Sequence, residues 1–213
     1  MGKLLYLRFR SMGKLYFVVP LALWGLLPLL CWLSYQQVKG MAGGLVEAAG
    51  YLEQMGALFA VWWPCLSLKE EAEGAGSELL FVHMGQRGRR TACDFSTLIW
   101  YLFHLWALGG SLLVADGGFL VHLVKTSAQI VFMWGLCYFL IAVLRSTSIP
   151  LMISVGYGIA GQMLEEPAKS QWTIFGTAYQ VNWELVEHKY LWVLGIGAAF
   201  CALGRLLIQR WRK

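Results

Sequence analysis

Charged side chains are scarce in this chain. Only 14% of its 213 residues are Asp, Glu, Lys or Arg, whereas a soluble domain carries about a quarter. That scarcity excludes an ordinary water-soluble globule and fits a protein with several membrane spans. Nucleotide chemistry is missing too. There is no Walker A sequence, no Rossmann glycine fingerprint and no HExxH, so the chain has no phosphate cradle and no zinc-protease helix of its own. Cysteine is sparse and unpatterned. Cys31, Cys65, Cys93, Cys137 and Cys201 lie in or beside apolar stretches, with no CxxC and no Cys/His ligand spacing. They read as small buried hydrophobes, and no metal site is expected. No cleavable signal peptide is expected either, because the first apolar run is too long and no small-residue cleavage site follows it.

Apolar residues are abundant. They make up 58% of the chain, and the mean hydropathy is +0.58. The net charge of +5 sits at segment ends rather than on one face, which speaks for membrane topology and against a nucleic-acid partner. The apolar runs predict an all-α polytopic membrane protein, a single domain over residues 1–213 with six transmembrane helices. The first three spans are expected near residues 15–35, 51–67 and 95–115. The fourth is expected near 119–144, the fifth ends near Leu164 with Pro150 in its first turn, and the sixth runs near 190–208. Pro20 and Pro28 should kink the first span. Glu53 and Gln54 are expected at the outer end of the second, and Trp62 and Trp63 in an aromatic belt near its inner end. Asp116-Gly117-Gly118 and Arg145-Ser146-Thr147-Ser148 read as turns. Gly156, Gly158, Ala160 and Gly161 form a small-residue strip expected to face another helix.

Two flanking pieces are polar. Residues 1–14 interleave Lys3, Arg8, Arg10 and Lys14 with apolar residues. They suit either an amphipathic helix lying in the membrane interface or a plain basic flank. Residues 165–189 are too polar to span and are expected to form one or two short helices at the outer surface. With both termini placed in the cytoplasm, only Lys39, Lys125, Lys169 and Lys189 of the 17 Lys and Arg residues fall outside. That asymmetry is what the positive-inside rule demands. The expected location is a cell membrane, most simply a bacterial cytoplasmic membrane.

Membrane-buried polar groups are candidate sites by default. His104 and Gln129 are the candidates for a cargo path, with a hydrogen bond to a neighbouring helix as the other reading of His104. The span interiors are expected to lack acids, so coupling to an ion gradient has little to act through and energy must come from elsewhere. A membrane-embedded processing protease or other integral membrane enzyme is the alternative. Glu165-Glu166 resembles the start of the EExxxR motif of CAAX-type intramembrane proteases, but position 170 is Ser170. His122 is followed at position 126 by Thr126 where that family has Asn. His83 and Cys93 lack the spacing of a peptide-processing His/Cys pair.

The long polar break at residues 68–94 is the most informative stretch. It contains Lys69-Glu70-Glu71-Ala72-Glu73-Gly74-Ala75-Gly76-Ser77-Glu78-Leu79-Leu80, and a basic stretch follows before the third span. This layout resembles the ABC-2 type transporter permeases, in which the loop holds a coupling helix seated in a groove of an ATPase subunit. The resemblance implies an ATPase-coupling role for Glu70, Glu71, Glu73, Gly74, Gly76, Glu78 and Leu79. It implies no catalytic residue and no cofactor on this chain, ATP and Mg being held by separate ABC ATPase subunits. A second permease copy or a homologous permease would complete the membrane part, with membrane lipid around it. The implied function is export of a hydrophobic or amphipathic cargo such as a peptide, lipid or drug.

Overall fold

The computed structural model describes residues 2–37, 41–74, 87–163, 173–175 and 181–210. All regular elements among them are helical. The first, α1 (Gly2–Ser11), is the basic arm, here a helix. A continuous helical rod, α2 (residues 13–37), follows after Met12 and begins at Gly13, which has a positive φ of 58°. Next come α3 (Met41–Phe59) and α4 (Trp62–Glu73), joined through Ala60 and Val61. The remainder are α5 (Arg87–Ala115), α6 (Phe119–Leu144), α7 (Ser148–Gln162) and α8 (Trp183–Arg210). Among the described residues, four stretches are long and apolar enough to cross a membrane: Gly13–Leu33, Cys93–Val114, Phe119–Leu144 and Trp183–Arg210. On this ground the chain reads as a membrane protein. Neither α3 nor α7 meets that standard, since Glu47, Glu53, Gln54 and the glycines hold the mean hydropathy of α3 too low and α7 has only 15 residues.

The prolines shape α2 as their chemistry requires. Pro20 has no N–H to give the carbonyl of Tyr16, and that carbonyl instead accepts Trp63 Nε1–H at 3.4 Å. Pro28 leaves the carbonyl of Trp24 free in the same way, and the preceding turn, Ala22–Leu26, widens into a π-helical turn. Pro150 lies in the first turn of α7, where a missing N–H matters least.

Helix α6 is the axis of the bundle. It is predominantly apolar, and it packs on α3, α4, α5, α7 and α8. Its contact with α8 is the closest. A Cβ added at Gly197 of α8 would lie 2.7 Å from Phe132 Cα of α6, and Gly135 faces Gly197 from the other side. The two backbones therefore touch, as small residues permit in membranes. Trp134 and Tyr138 stack on one another at 4.9 Å beside this seam. Helix α6 ends on Arg145, at φ 51°, whose N–H donates to Ile141 O at 2.9 Å.

Several boundaries differ from expectation. The second span was expected from residue 51, but helix already runs from Met41 to Phe59. The expected loop at 68–94 is helical up to Glu73 and again from Arg87. The outer segment is not wholly a surface feature: residues 173–175 are irregular, and all three are buried in the bundle. The small strip on α7 divides. Gly158 packs against Leu58 of α3 and Gly161 against Thr173 and Phe175, whereas Gly156 and Ala160 are exposed.

Candidate functional site

Two buried charge clusters stand out, one toward each end of the bundle. The first gathers around Glu53 of α3. Its neighbours on the buried stripe are Ala49, Leu52, Gly56, Ala57 and Ala60, residues three, four and seven apart that lie on one face of a helix. Because Ala49, Gly56, Ala57 and Ala60 are small, α3 comes close to α6. Lys125 Nζ of α6 donates to Glu53 Oε2 at 2.7 Å, and Gln129 Nε2, one turn on, donates to Glu53 Oε1 at 2.8 Å. Glu53 is 2% exposed, and Lys125 and Gln129 are fully buried. Gln129 Nε2 also donates to the carbonyl of Ile174, which accepts Tyr190 Oη–H of α8 at 3.0 Å. Lys125 Nζ stands 5.9 Å from the centre of the Tyr190 ring, within cation–π range.

This cluster corrects two expectations. The second span was read as having Glu53 at its outer end, yet Glu53 lies inside the bundle and is ion-paired. The span interiors were expected to lack acids, and here one is buried against a lysine 72 residues away. Opposite charges and hydrogen bonds make such burial tolerable. Gln129, a candidate for a cargo path, is engaged in this cluster. His104 is not brought near it. Instead its Nδ1 accepts Trp24 Nε1–H of α2 at 3.1 Å, with the rings of Trp63 and Trp100 edge-on around it.

The second cluster forms around Arg8 of α1. Arg8 Nη1 donates to Glu71 Oε1 of α4 at 3.2 Å, and Nη2 forms an ion pair with Asp94 of α5. Asp94 Oδ2 in turn accepts Tyr138 Oη–H of α6 at 3.1 Å. Four helices thus meet at one guanidinium that is 6% exposed. Burial alone would work against its charge, but Asp94 and then Glu71 outweigh burial and raise its pKa. Phe9, one residue on, packs edge-on against Tyr16 and Trp63.

The residues proposed for ATPase coupling separate in this arrangement. Glu70 is exposed and Glu71 is buried on Arg8. Glu73 turns to the start of α7: its Oε1 accepts Thr147 N–H at 2.5 Å, Thr147 Oγ1–H at 3.0 Å and Ser146 Oγ–H at 3.0 Å. Thr147 is the N-cap residue of α7 but makes no side-chain cap of its own, so a carboxylate from α4 fills that role. Gly74 closes α4 with its N–H on Glu70 O. Gly76, Glu78 and Leu79 lie outside the described residues, as do Glu165, Glu166 and the rest of the outer segment up to residue 172. Two cysteines read as isolated are neighbours, with Cys65 Sγ and Cys137 Sγ 3.2 Å apart.

The Glu73 cap yields a pH-dependent expectation. The Thr147 N–H, above all, and then the two hydroxyls hold the Glu73 carboxyl below its ordinary range. A lowered folded-state value means that the stabilisation is present above the unfolded pKa, and is lost as pH falls through the folded one. Glu73 is largely exposed, so solvent keeps the effect small. Glu73→Gln should therefore lower the thermal stability slightly at pH 7 and leave it unchanged at strongly acidic pH. Melting curves of the two proteins across that range check this, and a pH-independent gap would remove the cap from the account.

Compared with protein-family models, with curated proteins and with solved structures, the chain matches none of them.

Proposed function

We propose that this chain is the permease subunit of an ABC-2 type exporter. In this reading it is a six-span protein of the cell membrane with both termini in the cytoplasm, and it moves a hydrophobic or amphipathic cargo with energy from a separate ATPase. The wiring at the end of α4 is the observation that favours it. Glu71 reaches α1 and, through Arg8, α5, while Glu73 holds the first turn of α7. A displacement of the segment that follows α4 is therefore shared among several helices instead of being absorbed by a loose connector. The distribution of basic residues supports the orientation. A helix of 19 residues such as α3 extends about 28 Å and one of 15 such as α7 about 22 Å. Completing six spans thus calls for α4 to continue α3 and for local thinning at α7.

Since Glu71 and Glu73 are held internally, docking to the ATPase falls to Glu70 and to the segment that carries Glu78. The test is co-purification of the full-length protein from its native membrane, with the bound ATPase identified by mass spectrometry. Reversing both charges, E70K with E78K, should weaken ATPase association several-fold to hundred-fold, the range of about 1–3 kcal/mol. Its melting temperature should not change. Absence of an ATPase from the wild-type preparation, or equal recovery with the variant, rejects the exporter assignment.

A further inference from the structure

A groove of about 560 Å³ opens on the surface between α5, α6 and α8. Its walls are apolar and include Phe95 and Leu98 of α5, Val131 of α6, and Ala198 and Ala202 of α8. The polar exception is one end, where Arg205 and Gln209 stand. Arg205 is exposed, and no carboxylate lies within ion-pair distance of it among the described residues. The groove exists because the glycine seam draws α8 onto α6, and the alanines of α8 leave room beside α5.

From this arrangement we infer that the groove is a binding site for an anionic phospholipid, independent of the exporter assignment. Length decides against other occupants. From Ala198 to Gln209 the helix rises about 16 Å, roughly half of a hydrocarbon core of about 30 Å. That is the depth of one leaflet. A transmembrane helix of a second copy would need a seam running the whole thickness. Charge decides the headgroup. A guanidinium at the mouth of an apolar channel, with an amide one turn further on, complements a phosphate. A guanidinium binds phosphate through two parallel N–H donors. Basic pockets between spans are where anionic lipid headgroups settle. The polar end lies at the Asp94 end of the bundle, since Phe95 is the next residue of α5. Under the positive-inside orientation this is the leaflet in which anionic lipids are exposed to the cytoplasm.

The experiment uses the purified full-length protein in mild detergent, mixed with phosphatidylglycerol or phosphatidylcholine of matched chains, and native mass spectrometry to count retained lipid. Wild type should retain phosphatidylglycerol about fivefold better, the ratio given by about 1 kcal/mol per basic residue near such a headgroup. R205Q should bring the two lipids to parity, R205K should keep part of the preference, and R210Q should keep nearly all of it. A202W, at an exposed position, fills the apolar part and should expel the bound lipid while leaving the melting temperature of the delipidated protein unchanged. Equal retention of both lipids by wild type overturns the site. Equal losses for R205Q and R210Q overturn it as well, by reducing the preference to a general surface field. If A202W instead halves the particle mass with the lipid preference intact, the groove belongs to a second copy and the lipid assignment falls.

Discussion

Lys125→Met should destabilise the bundle by about 3–5 kcal/mol, the cost of removing one partner from a buried ion pair. The loss would not come from the lysine's own contacts so much as from what it leaves behind. Glu53 would stay 2% exposed with Gln129 Nε2 as its remaining donor. A carboxylate without its cation in an apolar bundle is the expensive state. Glu53→Leu should cost a similar amount by stranding the ammonium group. The double variant E53L with K125M removes both charges and should be more stable than either single variant, because apolar replacement of a whole buried pair is often neutral. The measurement is a double-mutant cycle of unfolding free energies from detergent-denaturant titration. Additive losses in the double variant would mean that the two side chains act separately, and the pairing across α3 and α6 would have to be abandoned. Additivity would also return Glu53 to the outer end of its helix, where its local sequence first put it.

What was legible in the sequence, and what was not, follows from which interactions are local. Apolar runs and turn signals are local: the turns read correctly, and four of the six expected spans are long and apolar enough to cross a membrane among the described residues. Asp116-Gly117-Gly118 is a turn in which the Asp116 carboxylate accepts the Gly118 N–H at 2.8 Å, and Pro150 sits in a helical first turn. The ion pairs of the two clusters join residues 63 to 86 positions apart, and no window along the chain contains them. Yet a signal was present. On α4, Pro64, Ser67, Leu68 and Glu71 are all buried, a spacing of three, four and seven that places Glu71 on the inward stripe. Glu70 and Glu73 fall outside that stripe. Assigning Glu70, Glu71 and Glu73 one shared coupling role discarded the helical period that separates them. Glu53 was misplaced for the same reason, since Ala49, Leu52, Gly56 and Ala57 mark its face as the packed one. The partners themselves, Arg8 and Lys125, were not recoverable by period alone. Which basic residue faces which acid depends on how the helices are set against one another.

Arg8→Met should release α1 from the bundle, whereas Arg10→Gln should not. Both residues belong to the same short basic helix, and composition does not distinguish them. Burial does: Arg8 is 6% exposed and holds Glu71 and Asp94, whereas Arg10 is exposed. Loss of Arg8 leaves two buried carboxylates without the cation they share, with Tyr138 still donating to Asp94. The expected cost is again about 3–5 kcal/mol, while an exposed change such as Arg10→Gln stays within about 0.5 kcal/mol. Helix α1 is short and docks through few residues, so the loss should appear first as local opening rather than global unfolding. Hydrogen exchange of the α1 amides reads this directly. In Arg8→Met these amides should exchange far faster than in wild type, while those of α6 lag behind. A second variant separates charge from packing: combining Arg8→Met with E71Q and D94N removes the stranded carboxylates and should recover part of the lost stability. Unchanged α1 protection in Arg8→Met would show that Phe9 against Tyr16 and Trp63 suffices to hold the helix. The guanidinium would then be a passenger rather than the clasp between α1, α4 and α5.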